Sequence, residues 1–171
     1  MATKTYFFTP EKKVLKQGFY MEDENKQLVY EAKMLKQPLF GPMLFDFVNH
    51  CTNKTETHKV GKTMTIQQGS GILSGLSTKS YFKFDGVKIW DHLHDQGVRI
   101  DSALSSNKIG MTYTVTLKGQ PLATIASAAP NGGKGILTSS FFYNVATDEE
   151  NLDLAFLTTF AVARTEQVFY N

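Results

Sequence analysis

A chain of 171 residues, 42% hydrophobic and 20% charged, has the make-up of one globular domain with a full-sized core, which excludes disordered and fibrous classes. Its net charge of +2 is too small for the electrostatic footprint of a nucleic-acid-binding protein. The single cysteine, Cys51, excludes an internal disulfide and fits a reducing compartment.

Thirteen Phe and seven Tyr favour strands and a bulky interior. Met1 to Thr5 leads only into the two-residue run Phe7-Phe8, so neither a signal peptide nor an anchor of that kind is expected, and the expected location is cytoplasmic. Charge is uneven: residues 1–62 carry ten Lys against seven acids, and residues 140–171 carry one Arg against five acids.

In chain order, Thr5 to Thr9 reads as a strand broken by Pro10. Val14 to Met21 and Gln27 to Leu35 follow as a hairpin around the polar Glu22 to Asn25. Pro38 and the pair Gly41-Pro42 punctuate the chain before Met43 to Val48, a buried-strand candidate. Thr55 to Gln67 alternates around a break at Gly61, and Gly69 to Gly75 is loop-like. Tyr81 to Phe84 is a strand ending at Asp85-Gly86, Val87 to Gln96 a short helix stopped by Gly97, and Val98 to Ala103 a strand again. The clearest period-2 signal is Met111 to Leu117, with Met111, Tyr113, Val115 and Leu117 on one face and threonines on the other. Lys118-Gly119 turns it into Leu122 to Ala128, and Asn131-Gly132-Gly133 turns the next strand into Ile136 to Val145.

The last predicted element opens like a helix. Thr147 is placed as N-cap with Glu150 three residues on, and Asp148, Glu149 and Glu150 put negative charge at the positive end of the dipole. From Leu154 to Ala163 no residue is charged. At about 100° per residue, Phe156, Phe160, Leu157, Ala161, Leu154, Val162 and Ala155 spread right round the axis, so no face is polar. Such a helix is enclosed by protein or lipid, and its uncharged run falls short of the about 20 residues a bilayer span needs. Thr158 and Thr159 tolerate burial by bonding the carbonyls of Leu154 and Ala155. The expected fold is mainly β with one buried helix: roughly ten to twelve short strands closed into a barrel, plugged by the C-terminal helix. No repeat or linker divides residues 1–171.

Motifs for chemistry are sparse. Gly61-Lys62-Thr63 ends like a phosphate-binding loop, but position 56, where that motif needs Gly, is Glu. Gly69-Ser70-Gly71 misses the dinucleotide fingerprint because position 74 is Ser, and there is no Gly-x-Ser-x-Gly elbow. Asp91, His92, His94 and Asp95 form the one cluster with metal-ligand chemistry. On a helix His92 and His94 point apart, on a strand they could chelate one ion, and the alternative is a polar helix face beside Trp90 and Leu93. Nothing in the pattern brings His50 or His58 to Cys51 as a base. Asn131 to Gly135 reads as an anion-binding nest or a plain hairpin turn. Lysines recur in groups: Lys12, Lys13 and Lys16; Lys33 and Lys36; Lys54, Lys59 and Lys62. Converging on one wall, Lys33, Lys36, Lys59 and Lys62 would bind an anionic headgroup or an acidic peptide; scattered, they are ordinary solvated charges.

The hairpin Gly18 to Tyr30 around its acidic turn, and the hydrophobic segment Asp148 to Ala163 at the end of a chain of short strands, resemble the tubby C-terminal-like group. That group includes tubby, the LURP-one-related plant proteins, the phospholipid scramblases and small bacterial proteins. The resemblance is one of layout and spans nearly the whole chain. It implies a twelve-stranded barrel around a central helix, and phosphoinositide binding through basic wall residues as in tubby, of which none maps onto a position here. A scramblase's membrane-spanning helix and calcium site have no counterpart in the ten-residue uncharged run or in any calcium-loop motif. The expectation is a non-enzymatic, cytoplasmic and membrane-peripheral binding module with no cofactor, whose partner is an anionic lipid or a protein and not a nucleic acid. An enzyme or metal or small-molecule binder using the Asp91–Asp95 cluster is the alternative, and a plugged lumen speaks against a carrier of apolar ligands.

Overall fold

Alternation of apolar and polar residues turns most of the chain into strands. The computed structural model describes residues 3–13, 16–36, 38–68, 76–104, 111–128 and 142–170, with the backbone alone at 10–13, 16–17, 62–68, 76–81, 103–104, 128 and 165–170. The strands are β1 (Lys4–Lys13), β2 (Lys16–Glu22), β3 (Leu28–Lys36), β4 (Met43–Asn49), β5 (Lys54–Gln68), β6 (Leu76–Phe84), β7 (Val87–Lys88), β8 (Val98–Leu104), β9 (Met111–Leu117), β10 (Gln120–Ala128) and β11 (Phe142–Thr147). Among the described residues two α-helices accompany them, α1 (Ile89–Asp95) and α2 (Leu152–Tyr170).

All eleven strands form one antiparallel sheet in the order β7-β6-β5-β4-β3-β2-β1-β11-β10-β9-β8. It consists of two meanders joined where β1 pairs with β11, Tyr6 opposite Val145. Local chemistry sets the hairpins. Asp23 Oδ1 accepts the backbone N–H groups of Asn25 (2.8 Å) and Gln27 (2.9 Å), so the acidic turn between β2 and β3 is tied by its own aspartate. Asp85-Gly86 and Lys118-Gly119 both take positive φ at both positions, the two-residue turn that matches the twist of the flanking strands. Pro10 does not end β1. The strand runs on through it, with Pro10 opposite Phe19 and Lys13 opposite Lys16 on β2.

The sheet wraps α2. Every residue from Thr158 to Arg164 is buried, which no one-sided helix achieves. Phe156 stacks on Tyr30 at 4.2 Å and meets Phe8 and Phe47 at 5.4 and 6.1 Å. Phe160 packs edge-on against Phe19 at 4.9 Å and Phe47 at 5.4 Å. The hydroxyls of Thr158 and Thr159 donate to the carbonyls of Leu154 and Ala155, both at 2.7 Å, as the sequence predicts. The helix also touches β6, β10 and β11, so its filling role is the one expected.

Two further expectations change. The sheet is not a closed barrel: among the described residues, β7 and β8 are its two edges, with no pairing between them. The physical reason is local. β7 is two residues long and runs straight into α1, so the chain turns helical where a closing strand would be needed. The helix α1 touches β6, β7, β8 and α2, and its buried Ile89 and Leu93 occupy that seam. The second change is the start of α2. Thr147 is the last residue of β11, and its hydroxyl donates to the Leu122 carbonyl at 2.8 Å instead of capping the helix. A short 3-10 turn, Glu149–Asn151, intervenes.

Candidate functional site

The register of β3 to β7 decides which lysines meet. Lys36 and Lys59 both lie opposite Leu44, one from each side, so they flank it on one face of the sheet. Two residues on from Lys59, Gly61 lies opposite Lys83, and Lys83 lies opposite Lys88. A lysine row therefore crosses from β3 to β7. Beside it is a recess of about 450 Å³ lined by Gly41, Pro42, Lys59, Gly61, Lys83 and Asp85. The β3–β4 connection forms its lip, and there Leu39 and Phe40 stand 97% and 92% exposed. Gly41, at φ +99°, allows the sharp return after them.

Of the four lysines expected to converge, Lys36 and Lys59 do so. Lys33 is instead bound at 2.6 Å to the carboxylate of Glu31, which also has His50 at 3.5 Å. Lys62 lies on β5 opposite Phe82, its side chain outside the described residues, as are those of Lys12, Lys13 and Lys16. Lys54 pairs with Glu56 at 2.9 Å. Lys83 and Lys88 were not expected. The signal that could have found them is the Asp85-Gly86 turn, which folds β7 back beside β6.

A second recess, about 360 Å³, opens near the start of α2; Tyr30, Phe47, Phe84 and Leu157 supply its apolar walls, and Lys54, Glu56, His58, His92 and Asp153 its polar groups. His58 Nδ1 lies 2.6 Å from Asp85 Oδ2, and its Nε2 lies 3.3 Å from Glu56. Burial would raise the Asp85 carboxyl, but the Lys59 N–H (2.8 Å) and His58 outweigh it and hold it below its usual range. The Lys54 hydrogen bond likewise holds Glu56 low. Tyr30 is pushed well above an ordinary phenol by burial, with the Asp153 charge adding to the shift. The acids here are already matched with donors, and among the described residues the lining has no Ser, Thr or Cys to serve as nucleophile.

The helical placement separates the Asp91–Asp95 cluster. His92 alone lines the second recess, with its Nε2 2.8 Å from the Gln96 amide nitrogen and its ring 5.0 Å from Phe84. Asp91, His94 and Asp95 are exposed on α1. Among the described residues no three His, Cys, Asp or Glu side chains gather to hold a metal. Cys51 is exposed and free, and burial of its sulfur together with the Glu149 charge raises the thiol above its usual range, against thiolate chemistry. The segments Gly69 to Gly75 and Asn131 to Gly135 lie outside the described residues. No described helix is long and apolar enough to cross a membrane. No protein family, curated protein or solved structure matches the chain.

Proposed function

We propose that this chain is a non-enzymatic binding module of the tubby C-terminal-like kind that docks on anionic phospholipid headgroups through the lysine row. The observation that carries the reading is the recess bordered by Lys59 and Lys83, with Lys36 flanking Leu44 from the other side. Each lysine near an anionic surface contributes about 1 kcal/mol, falling away within a Debye length. Three or four such charges give weak, salt-sensitive attachment and a membrane-peripheral location. Flotation with phosphatidylserine-containing and pure phosphatidylcholine vesicles tests it. Recovery is expected only with the anionic vesicles, and Lys59→Glu with Lys83→Glu is expected to abolish it at 0.1 M salt. Equal recovery on neutral vesicles, or an unaffected double variant, would overturn the reading.

A small-molecule site in the second recess is the competing reading, favoured by its apolar walls and the His58–Glu56 contact at 3.3 Å. Native mass spectrometry of the purified protein showing a stoichiometric small ligand would favour it.

A further inference from the structure

We infer that the Leu39-Phe40 tip is a bilayer anchor: it enters the acyl boundary of an anionic membrane while the lysine row meets the phosphates above it. This rests on the headgroup reading and narrows it, because a free phosphate or a detached headgroup needs only the lysines. Leu39 and Phe40 are 97% and 92% exposed, well beyond Leu35 at 54%, the next most exposed large hydrophobic among the described residues. Two adjacent apolar side chains held in water at a hairpin tip add nothing to the core, and Pro38 and Pro42 on either side restrict the loop. Leu35 belongs to the same hairpin.

Charge complementarity identifies the occupant. Gly41 and Pro42, which follow the apolar pair directly, share the recess with Lys59 and Lys83, and Lys36 precedes the tip on β3. An anionic bilayer has the same layering, negative phosphates over an apolar interior. A two-residue tip is small against the roughly 1,200–2,000 Å² that a stable protein interface buries, whereas insertion requires no shaped partner. Full burial of either side chain corresponds to about tenfold or more in affinity.

Phe40→Trp tests the inference directly, with the wild-type protein as reference for the signal of Trp90. Vesicles of phosphatidylserine and phosphatidylcholine are expected to shift the new indole's emission to the blue, and brominated acyl chains to quench it. Inorganic phosphate and soluble glycerophosphoserine are expected to leave it unchanged. Leu39→Asp with Phe40→Asp, whose side chains lie outside the core, is expected to keep the circular dichroism and thermal midpoint and to lower vesicle affinity tenfold or more. If vesicles bind but the indole stays water-like and the double Asp variant binds normally, the anchor is overturned while the headgroup reading stands. If no protein binds vesicles at any salt, both fall. If the double Asp variant instead converts an oligomer to a monomer, or abolishes capture of a protein partner with vesicle binding unchanged, the tip is a protein contact and the inference is overturned.

Discussion

Phe156 shows how far single side chains decide this fold. Fully buried and in contact with rings from β1, β3 and β4, it ties the helix to three strands at once. Phe156→Ala is expected to cost about 3–5 kcal/mol in equilibrium denaturation. A loss below about 1 kcal/mol would show that the helix is loosely held. Arg164, nearly as buried, keeps its guanidinium 4.9 Å from the Phe82 ring centroid and 5.7 Å from that of Phe19, and burial pulls its pKa down to about 10. Asp85 makes a prediction about acid. Its folded pKa lies below its ordinary value of 3.8, so at low pH it binds fewer protons folded than unfolded. Its contribution is complete above the ordinary carboxylate range and is lost as pH falls through the folded pKa. Asp85→Asn is therefore expected to lose less stability than wild type between pH 6 and the acid limb, measured by urea midpoints. Identical pH profiles would refute this. At this scale the sequence was least legible. His58 is visible as a candidate base, but its partner Asp85 lies 27 positions away and is reached only through the β5–β6 register.

Elements were easier to read than contacts. Hairpin turns with their Gly and Asp punctuation, the alternating face of β9 and the stop of α1 at Gly97 all follow from local rules that act within a few residues. Gly97 sits at φ +90°, and a Cβ there would meet Lys118 Cγ at 2.8 Å, so both backbone and neighbour demand glycine. Gly97→Ala is expected to lower stability by about 1–3 kcal/mol, seen as a drop in thermal midpoint. No drop would mean that the α1–β8 corner readjusts freely. Where local rules misled, a distant group had taken the side chain in question. Thr147 has the chemistry of a helix cap, yet its hydroxyl is committed to the Leu122 carbonyl on β10. Pro10 resembles a strand breaker, yet the strand runs on through it, held by its pairing with β2 from Pro10 opposite Phe19 to Lys13 opposite Lys16. The lysine groups failed in part for a similar reason: closeness in sequence is not closeness on a sheet, where opposite register positions on neighbouring strands become neighbours.

For the whole molecule, the enclosed helix was legible because a segment apolar on every side has to be surrounded. Barrel closure was not, since strand count alone does not reveal whether the last edges pair. Among the described residues they do not, and α1 occupies the seam between β7 and β8. The edge strand β8 carries Arg99 and Asp101, charges of the kind that discourage pairing with another chain. The lysine row and the Leu39-Phe40 tip lie on β3 to β7, in the other meander.

The joint between β1 and β11 governs how such a molecule comes off the ribosome. Thr3 donates to Asp148 at 3.3 Å, and Lys4 reaches Glu149 at 3.2 Å, each across 145 positions. The first strand emerges long before β11, its partner on one side, exists, and Phe8, Phe19, Phe45 and Phe47 are synthesised well ahead of the helix that covers them. Such distant pairings slow folding, so the nascent polypeptide holds an apolar trough open throughout translation. Chaperone capture of the nascent chain, and insolubility of prematurely terminated ones in a pelleting assay, are the outcomes expected from the order in which its parts are made.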